Sequence, residues 1–260
     1  MPLITLTTDF GVRDWFVGTM KGVILGIQPR ATVVDITHEI PAGDVRGGAF
    51  ALAASWHFFP KGTVHVVVVD PGVGSARKAI AVQTAKAVFI GPDNGVLSCA
   101  LARKKVTAIH ALENEAYFLL PVSRTFHGRD VFAPVAAHLS RGVPIKRLGP
   151  ALKDFVRLDW PEPQKQRGGI VGQVVYIDRF GNAITNLEGG LLRGWERAAC
   201  KVYARGRLVC PLKTFYQGVA PKTPVALVGS GGFLEIALNG GSAAKTLGLR
   251  IGTRVVLRAD

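Results

Sequence analysis

Cysteine is scarce in this chain: Cys99, Cys200 and Cys210 are the only three among 260 residues. They are odd in number and widely spaced, with no CxxC or Cys/His ligand pattern. That excludes a disulfide framework and a structural zinc site, and the three read as buried small hydrophobes. Long apolar runs are missing too, since no uncharged stretch approaches the roughly 18–20 residues that span a bilayer. A secretory signal is not expected either, because no basic lead precedes Pro2-Leu3-Ile4, and Asp9, Arg13 and Asp14 soon interrupt the apolar start. A soluble, cytoplasmic protein is expected.

Acidic residues are also few. Eighteen Asp and Glu stand against 32 Lys and Arg, for a formal net charge of +14. Such an excess raises nucleic acid or an anionic membrane surface as a partner. The basic residues are scattered, however. Their tightest cluster, Arg103-Lys104-Lys105, falls where a helix should end and where cations suit its dipole. Neither nucleic acid nor membrane is therefore expected, although the charge would help collect a small anionic partner. What the chain does have is apolar residue and glycine. A hydrophobic content of 48% excludes disorder and suffices for one large domain or two modest ones. The 31 glycines show no three-residue period, so tight turns and close backbone approaches explain them.

Over the first 150 residues, strand and helix signals alternate. Residues 3–7 read as a strand and 14–28 as a helix with Phe16, Val17, Met20, Val23, Ile24 and Ile27 on one side. A strand at 32–36 follows Pro29, and Asp44 is a plausible cap for a helix running to residue 59. The β-branched run at 63–69 marks a strand buried on both faces. Strands at 79–83 and 87–90 and helices at 95–103 and 129–141 complete an α/β layer pattern with a mainly parallel sheet. The polar, Pro- and Gly-containing stretch at 161–168 reads as a linker, giving an N-terminal domain over 1–160 and a C-terminal one over 169–260. Short strands at 170–177, 201–204, 207–210, 224–228, 233–238 and 254–257, with a short helix near 243–247, make the second domain a smaller all-β, barrel-like unit. Arg205-Gly206 is a hairpin signal within it.

Five clusters carry chemistry. Thr7-Thr8-Asp9-Phe10-Gly11, with Asp14 just beyond, and Asp70 through Arg77 each follow a strand, where ligands gather in parallel α/β sheets. Asp9 serves equally as a turn cap, and Gly72 and Gly74 as turn glycines. The Asp70 segment also resembles a methyltransferase glycine loop, or loosely a dinucleotide fingerprint. Those motifs open a helix, whereas 78–82 reads as a strand. His127, in Thr125-Phe126-His127-Gly128-Arg129-Asp130, is a site candidate or a satisfied structural histidine. Asp178 through Asn186 offers an acid, the face of Phe180 and the amides of Asn182 and Asn186, which suit a purine or simply a polar turn. Gly229 through Ala244 leaves backbone amides available to a carboxylate or a base, again beside the plain reading as turn glycines.

Taken in order and in register, Thr7–Gly11, Asp70–Arg77, Gly91-Pro92-Asp93-Asn94-Gly95, Phe126–Asp130, Phe180-Gly181-Asn182 and Leu234–Asn239 resemble the S-adenosylmethionine hydroxide adenosyltransferases, relatives of the bacterial fluorinase and chlorinase. The resemblance covers almost the whole chain. It implies an α/β domain followed by a β-barrel-like one, and a homotrimer with the ligand held between subunits. It also implies attack on C5′ of S-adenosylmethionine with loss of methionine. By the same carry-over, Asp70, Arg77 and His127 correspond to the Asp-Arg-His trio of the hydrolytic members. Asp9 would hold the ribose hydroxyls and Asp14 the methionine ammonium. Phe180 and Asn182 would meet the adenine, with Asn239 nearby, Ser230 would lie at the methionine carboxylate, and Asp178 is counted with them as substrate-binding. Halogenating relatives have tyrosine in place of Asp70, and the fluorinase has serine in place of Gly128, so both differences favour water over a halide. The fluorinase arginine after the serine is Gly231 here, which shifts carboxylate recognition towards backbone amides.

A sulfonium leaves without being protonated, so the task is to orient and activate one water. Arg77 cannot be the base, because a guanidinium titrates above about 12. Either Asp70 or His127 can take the proton. No cofactor and no metal are expected, and the substrate is S-adenosylmethionine itself. The alternatives are a halide-dependent 5′-halo-5′-deoxyadenosine synthase, a methyltransferase, and a non-catalytic adenosine- or S-adenosylmethionine-binding protein.

Overall fold

The computed structural model describes residues 2–192 and 200–259 and divides into two compact units, Met1–Asp159 and Trp160–Asp260. The first holds a six-stranded sheet built from β1 (Leu3–Thr8), β2 (Thr32–Thr37), β3 (Val64–Val68), β4 (Ala79–Thr84), β5 (Val88–Pro92) and β6 (Val106–Ala111). Their spatial order is β2-β1-β3-β5-β4-β6. The sheet is mixed, not purely parallel: β2–β1, β1–β3 and β3–β5 run parallel, while β5–β4 and β4–β6 run antiparallel. The cause is local. A tight turn held by Thr84 Oγ1, which accepts from the Lys86 and Ala87 amides, joins β4 to β5. It leaves no length for the crossover that a parallel pair needs.

The β-branched run behaves as its composition demands. Val64, Val66 and Val68 pack into one core with Ile4, Leu6, Met20, Ile24 and Phe132. Val67 and Val69 pack into the other with Leu52, Trp56 and Phe89. Helix α1 (Phe16–Ile27) buries Val17, Met20 and Ile24. Helix α2 (Val45–Ser55) is capped by Asp44, which accepts from the Gly47 amide at 2.9 Å. Two helix expectations need correcting. The segment 95–103 yields only the short α3 (Ser98–Leu101), and 129–141 is a π-helical turn, Gly128–Phe132, leading into α4 (Ala133–Ser140).

The strand ladders of the second unit all run antiparallel, and only the bridge that closes it, Leu212 with Ala226, is parallel. It comprises β7 (Gln164–Gln166), β8 (Gly169–Ile177), β9 (Ala183–Glu188), β10 (Cys200–Ala204), β11 (Arg207–Pro211), β12 (Pro224–Val228), β13 (Phe233–Leu238) and β14 (Arg254–Ala259). The order is β11-β10-β14-β8-β9-β13-β12, with β7 on β8. The two end strands meet through a bridge between Leu212 and Ala226 and a 2.8 Å bond from the Lys213 amide to Ala226 O, so the sheet is a nearly closed barrel. Leu187, Val202, Leu234, Ile236, Val255 and Leu257 fill its interior. Part of the expected linker at 161–168 is strand instead. Gly168, at φ +78°, turns β7 back onto β8. The Arg205-Gly206 hairpin forms with φ +54° and +76°. Ser242 caps α5 (Ala243–Leu247) by accepting from the Lys245 amide.

Candidate active site

Strands β1 and β3 are parallel neighbours, with Thr8 opposite Val68. Their carboxyl ends therefore place Asp9 and Asp70 on one edge of the sheet, where loops open a pocket. A cavity of about 300 Å³ lies there, lined by Asp9, Phe10, Phe16, Asp70, Phe126 and His127 among others.

The loop after β3 doubles back. The Val73 amide donates to Asp70 O, and Ser75 donates to Gly72 O through both its amide and its hydroxyl. Gly74 sits at φ +76°, and a Cβ there would lie 2.3 Å from Arg124 O, so no other residue fits. The reversal returns Arg77 to Asp70. Its Nε donates to Oδ1 at 3.0 Å and its Nη2 to Oδ2 at 2.5 Å. This is a fork-to-fork pair with the Asp70 side chain 5% exposed and the Arg77 side chain 11%. The guanidinium also lies over the Phe132 ring, 5.5 Å from its centroid.

The same Nη2 is 2.7 Å from Nδ1 of His127, the residue before the π-helical turn. Burial, and then the Arg77 charge, hold the His127 imidazole below its ordinary pKa of 6.5. The ring is therefore neutral near pH 7. Arg77 can only donate, so Nδ1 accepts and the ring proton resides on Nε2. Asp70 and His127 face the pocket, and Arg77 stands behind both.

Asp9 accepts from the Gly43 amide through Oδ2 at 2.8 Å. Asp14 is exposed on the bend before α1 and is not among the residues lining the pocket. Phe10, Phe16 and Phe126 form an aromatic wall, with ring centroids 5.1–5.7 Å apart. Phe16 had been legible only as one residue of an apolar helix face. Asp130 is fully buried and structural. Its carboxylate accepts from the Ser123 amide and from Arg129.

In the second unit, both carboxylate oxygens of Asp178 accept from Asn182, one from its backbone N–H and one from Nδ2. That fixes the amide's orientation and turns Phe180 outwards, 76% exposed. Ser230 is exposed in the turn between β12 and β13. Asn239 donates from Nδ2 to Val219 O. Glu235 is buried beside that turn, accepts from the Tyr216 hydroxyl and is pushed above its ordinary pKa, chiefly by burial.

Two of the thiols are poor nucleophiles. Burial pushes Cys99 up to about 11 and Cys210 up to about 12. Cys200 and Cys210 are buried as expected, but Cys99 is only half-buried. Among the described residues, no group of three or more His, Cys, Asp or Glu is placed to hold a metal ion, and no helix is long and apolar enough to cross a membrane.

An ion-paired Asp–Arg–His cluster at the carboxyl edge of parallel strands, opening onto a pocket, has the make-up of a small-molecule enzyme site. Residues 4–149 match the SAM hydroxide adenosyltransferase N-terminal domain and residues 172–256 the C-terminal domain. The chain belongs to the SAM hydroxide adenosyltransferase family. It is 40% identical to the (R)-S-adenosyl-L-methionine hydrolase of Salinispora arenicola, over 99% of this chain and 98% of that one. It is 28% identical to a fluorinase of Actinoplanes sp., over 98% and 97%. The crystal structure of an uncharacterized conserved protein from Thermotoga maritima superposes with a TM-score of 0.93 at 36% identity, over 98% of this chain and 99% of the other.

Proposed function

We propose that this protein hydrolyses S-adenosyl-L-methionine to adenosine and L-methionine. A water oxygen forms a bond to C5′ as the C5′–S bond breaks. Its electron pair stays on sulfur, turning the sulfonium into the neutral thioether of methionine, and the water loses one proton. The observation that carries this reading is the Arg77 bridge between Asp70 and His127. It leaves a carboxylate as acceptor and an Nε2–H as donor on one pocket wall, enough to hold one water in line. Asp70, rather than His127, takes the proton: the single lone pair of His127 Nδ1 is taken by Arg77, whereas each Asp70 oxygen keeps a second lone pair beside its bond to Arg77. Both the (R)-hydrolase names of the relatives and the family resemblance support the substrate, and the (R)-sulfonium epimer is the form we assign.

Asp9 binds the ribose hydroxyls with the carboxylate oxygen that Gly43 leaves open. Asp14 takes the methionine ammonium and Ser230 the carboxylate, while Phe180, Asn182 and Asn239 meet the adenine. Asp178 acts by holding the Asn182 amide. Halide use is disfavoured by the Asp70 charge and by crowding at Gly128. A Cβ there would lie 3.1–3.2 Å from Phe126, Met20 and Phe10. The reading includes no cofactor, no nucleic-acid partner and a homotrimer with sites shared between subunits. It also includes the cytoplasm, in keeping with cysteines that are not joined in disulfides.

The test is chromatography of products after incubation with each sulfonium epimer in chloride-free buffer. Equimolar adenosine and methionine, faster from the (R) epimer, are expected. S-adenosylhomocysteine, or product only after chloride is restored, would overturn the reading.

A further inference from the structure

We infer that His38 is a positioning residue for Asp9, acting through Thr8; the inference rests on Asp9 as the ribose-binding carboxylate. Thr8 ends β1 fully buried, and His38 follows β2 with 4% exposure. Thr8 Oγ1 and His38 Nδ1 are 2.8 Å apart. The other ring nitrogen, Nε2, makes a bent 3.1 Å contact with Oδ1 of Asp35, whose Oδ2 accepts from Lys21 at 2.5 Å. A carboxylate only accepts, so the ring nitrogen facing Asp35 is the one that carries a proton, and Nδ1 accepts the Thr8 hydroxyl proton. The lone pairs of that hydroxyl are thereby left for the Phe10 amide, which donates to Thr8 Oγ1 at 3.3 Å. On the far side of Asp9, the Gly11 amide donates to His38 O at 2.7 Å.

One residue on β2's end thus grips the chain both before and after Asp9. It does so through its side chain via Thr8 and Phe10, and through its backbone at Gly11. Asp9 itself gives Oδ2 to the Gly43 amide. With the backbone held on both sides and one carboxylate oxygen tied down, the other is left for a ligand in the pocket that Asp9 lines. The Asp35–His38–Thr8 line touches no reacting atom. Its function is to fix where the vicinal hydroxyls of a ribose must sit, which makes it a determinant of ribose over deoxyribose.

The test uses the full-length protein and calorimetric binding of adenosine and 2′-deoxyadenosine. His38→Phe keeps an aromatic ring, somewhat larger, but removes both nitrogens. His38→Asn keeps an acceptor near the Nδ1 position. Wild-type protein is expected to prefer adenosine by roughly tenfold or more, as a charge-assisted hydrogen bond implies. His38→Phe should bring that ratio to within about threefold of unity, and His38→Asn should restore most of it. With S-adenosylmethionine, His38→Phe should raise KM more than it lowers kcat. Equal weakening of both nucleosides by His38→Phe, with the ratio kept, would show a merely structural role and overturn the inference. A wild-type ratio near one would overturn it together with the ribose role of Asp9, while turnover of S-adenosylmethionine, measured in parallel, tests the hydrolase reading separately.

Discussion

Nη2 of Arg77 lies 2.7 Å from Nδ1 of His127, and the contact fixes the imidazole tautomer, because a guanidinium has no lone pair to offer. Two candidates for the base thereby separate. His127 presents a donor to the pocket, and Asp70, held by the same arginine, presents the acceptor.

Removing the acceptor should then cost more than removing the donor. Asp70→Asn is expected to lower kcat by about 10²–10⁴-fold, the usual range for losing a general base. His127→Asn, which keeps an acceptor for Arg77, should retain more activity than His127→Ala. Steady-state kinetics on the three variants decides it. An Asp70→Asn enzyme turning over at the wild-type rate would remove Asp70 from the base role.

The tautomer also sets the acid limb of the pH profile. His127 is held below 6.5 by burial and by Arg77. It stays neutral as pH falls past 6.5 and gains its proton only further down. That proton would sit on Nδ1, facing Arg77. The midpoint of the acid limb of kcat/KM should therefore lie below pH 6.5, and the limb assigned to His127 should vanish in His127→Asn. A fall already complete at pH 6.5 would contradict this placement.

Acid stability should be governed elsewhere in the first unit, by His65 on β3. Its ring is fully buried, bonded to Thr5 Oγ1 at 2.8 Å and stacked on Phe89, and burial lowers its pKa to about 4. The unfolded chain binds this proton below about 6.5, whereas the folded protein resists it down to about 4. Stability present at neutral pH is therefore lost progressively across that window, by about 3 kcal/mol. Urea unfolding of wild type and His65→Phe from pH 7 to pH 4 should show a smaller decline in the variant.

Gly128→Ser should not create a halide site. Its Cβ would press on Phe10, Met20 and Phe126 at 3.1–3.2 Å. A loss of about 1–3 kcal/mol in stability is expected from overpacking, together with lower kcat/KM and no response to chloride. Thermal melting and product chromatography measure both.

Much of the scaffold was legible because local chemistry and tertiary placement agree. The valines of β3 sit between two cores, Asp44 caps α2, and Arg205-Gly206 makes its hairpin. Strand β9 was hidden because two of its buried residues, Thr185 and Asn186, are polar and interrupt the apolar face of Ala183 and Leu187. Thr185 Oγ1 donates to Leu234 O, and Asn186 Oδ1 accepts from the Gln173 amide, so the segment looks like a turn until its partners are in place. Strand β6 is a sheet edge with an alternating, half-buried pattern behind a basic cluster, and its signal was correspondingly weak. At the site, Asp9, Asp70, Arg77 and His127 stood out as titratable groups after strands or before a helix. The Phe10–Phe16–Phe126 wall did not, since apolar rings on helix and loop read as core until the fold shows which of them line a cavity. Whether a histidine donates or accepts depends on its partner, and Arg77 is 50 residues away from His127 in the chain.

The most direct test of the central claim, attack of water on C5′ with Asp70 as acceptor, is mass spectrometry of the products formed in ¹⁸O-labelled water. One labelled oxygen at O5′ of adenosine, none in methionine, and loss of that product in Asp70→Asn are expected. Unlabelled adenosine, or labelled adenosine formed equally well by Asp70→Asn, would contradict it.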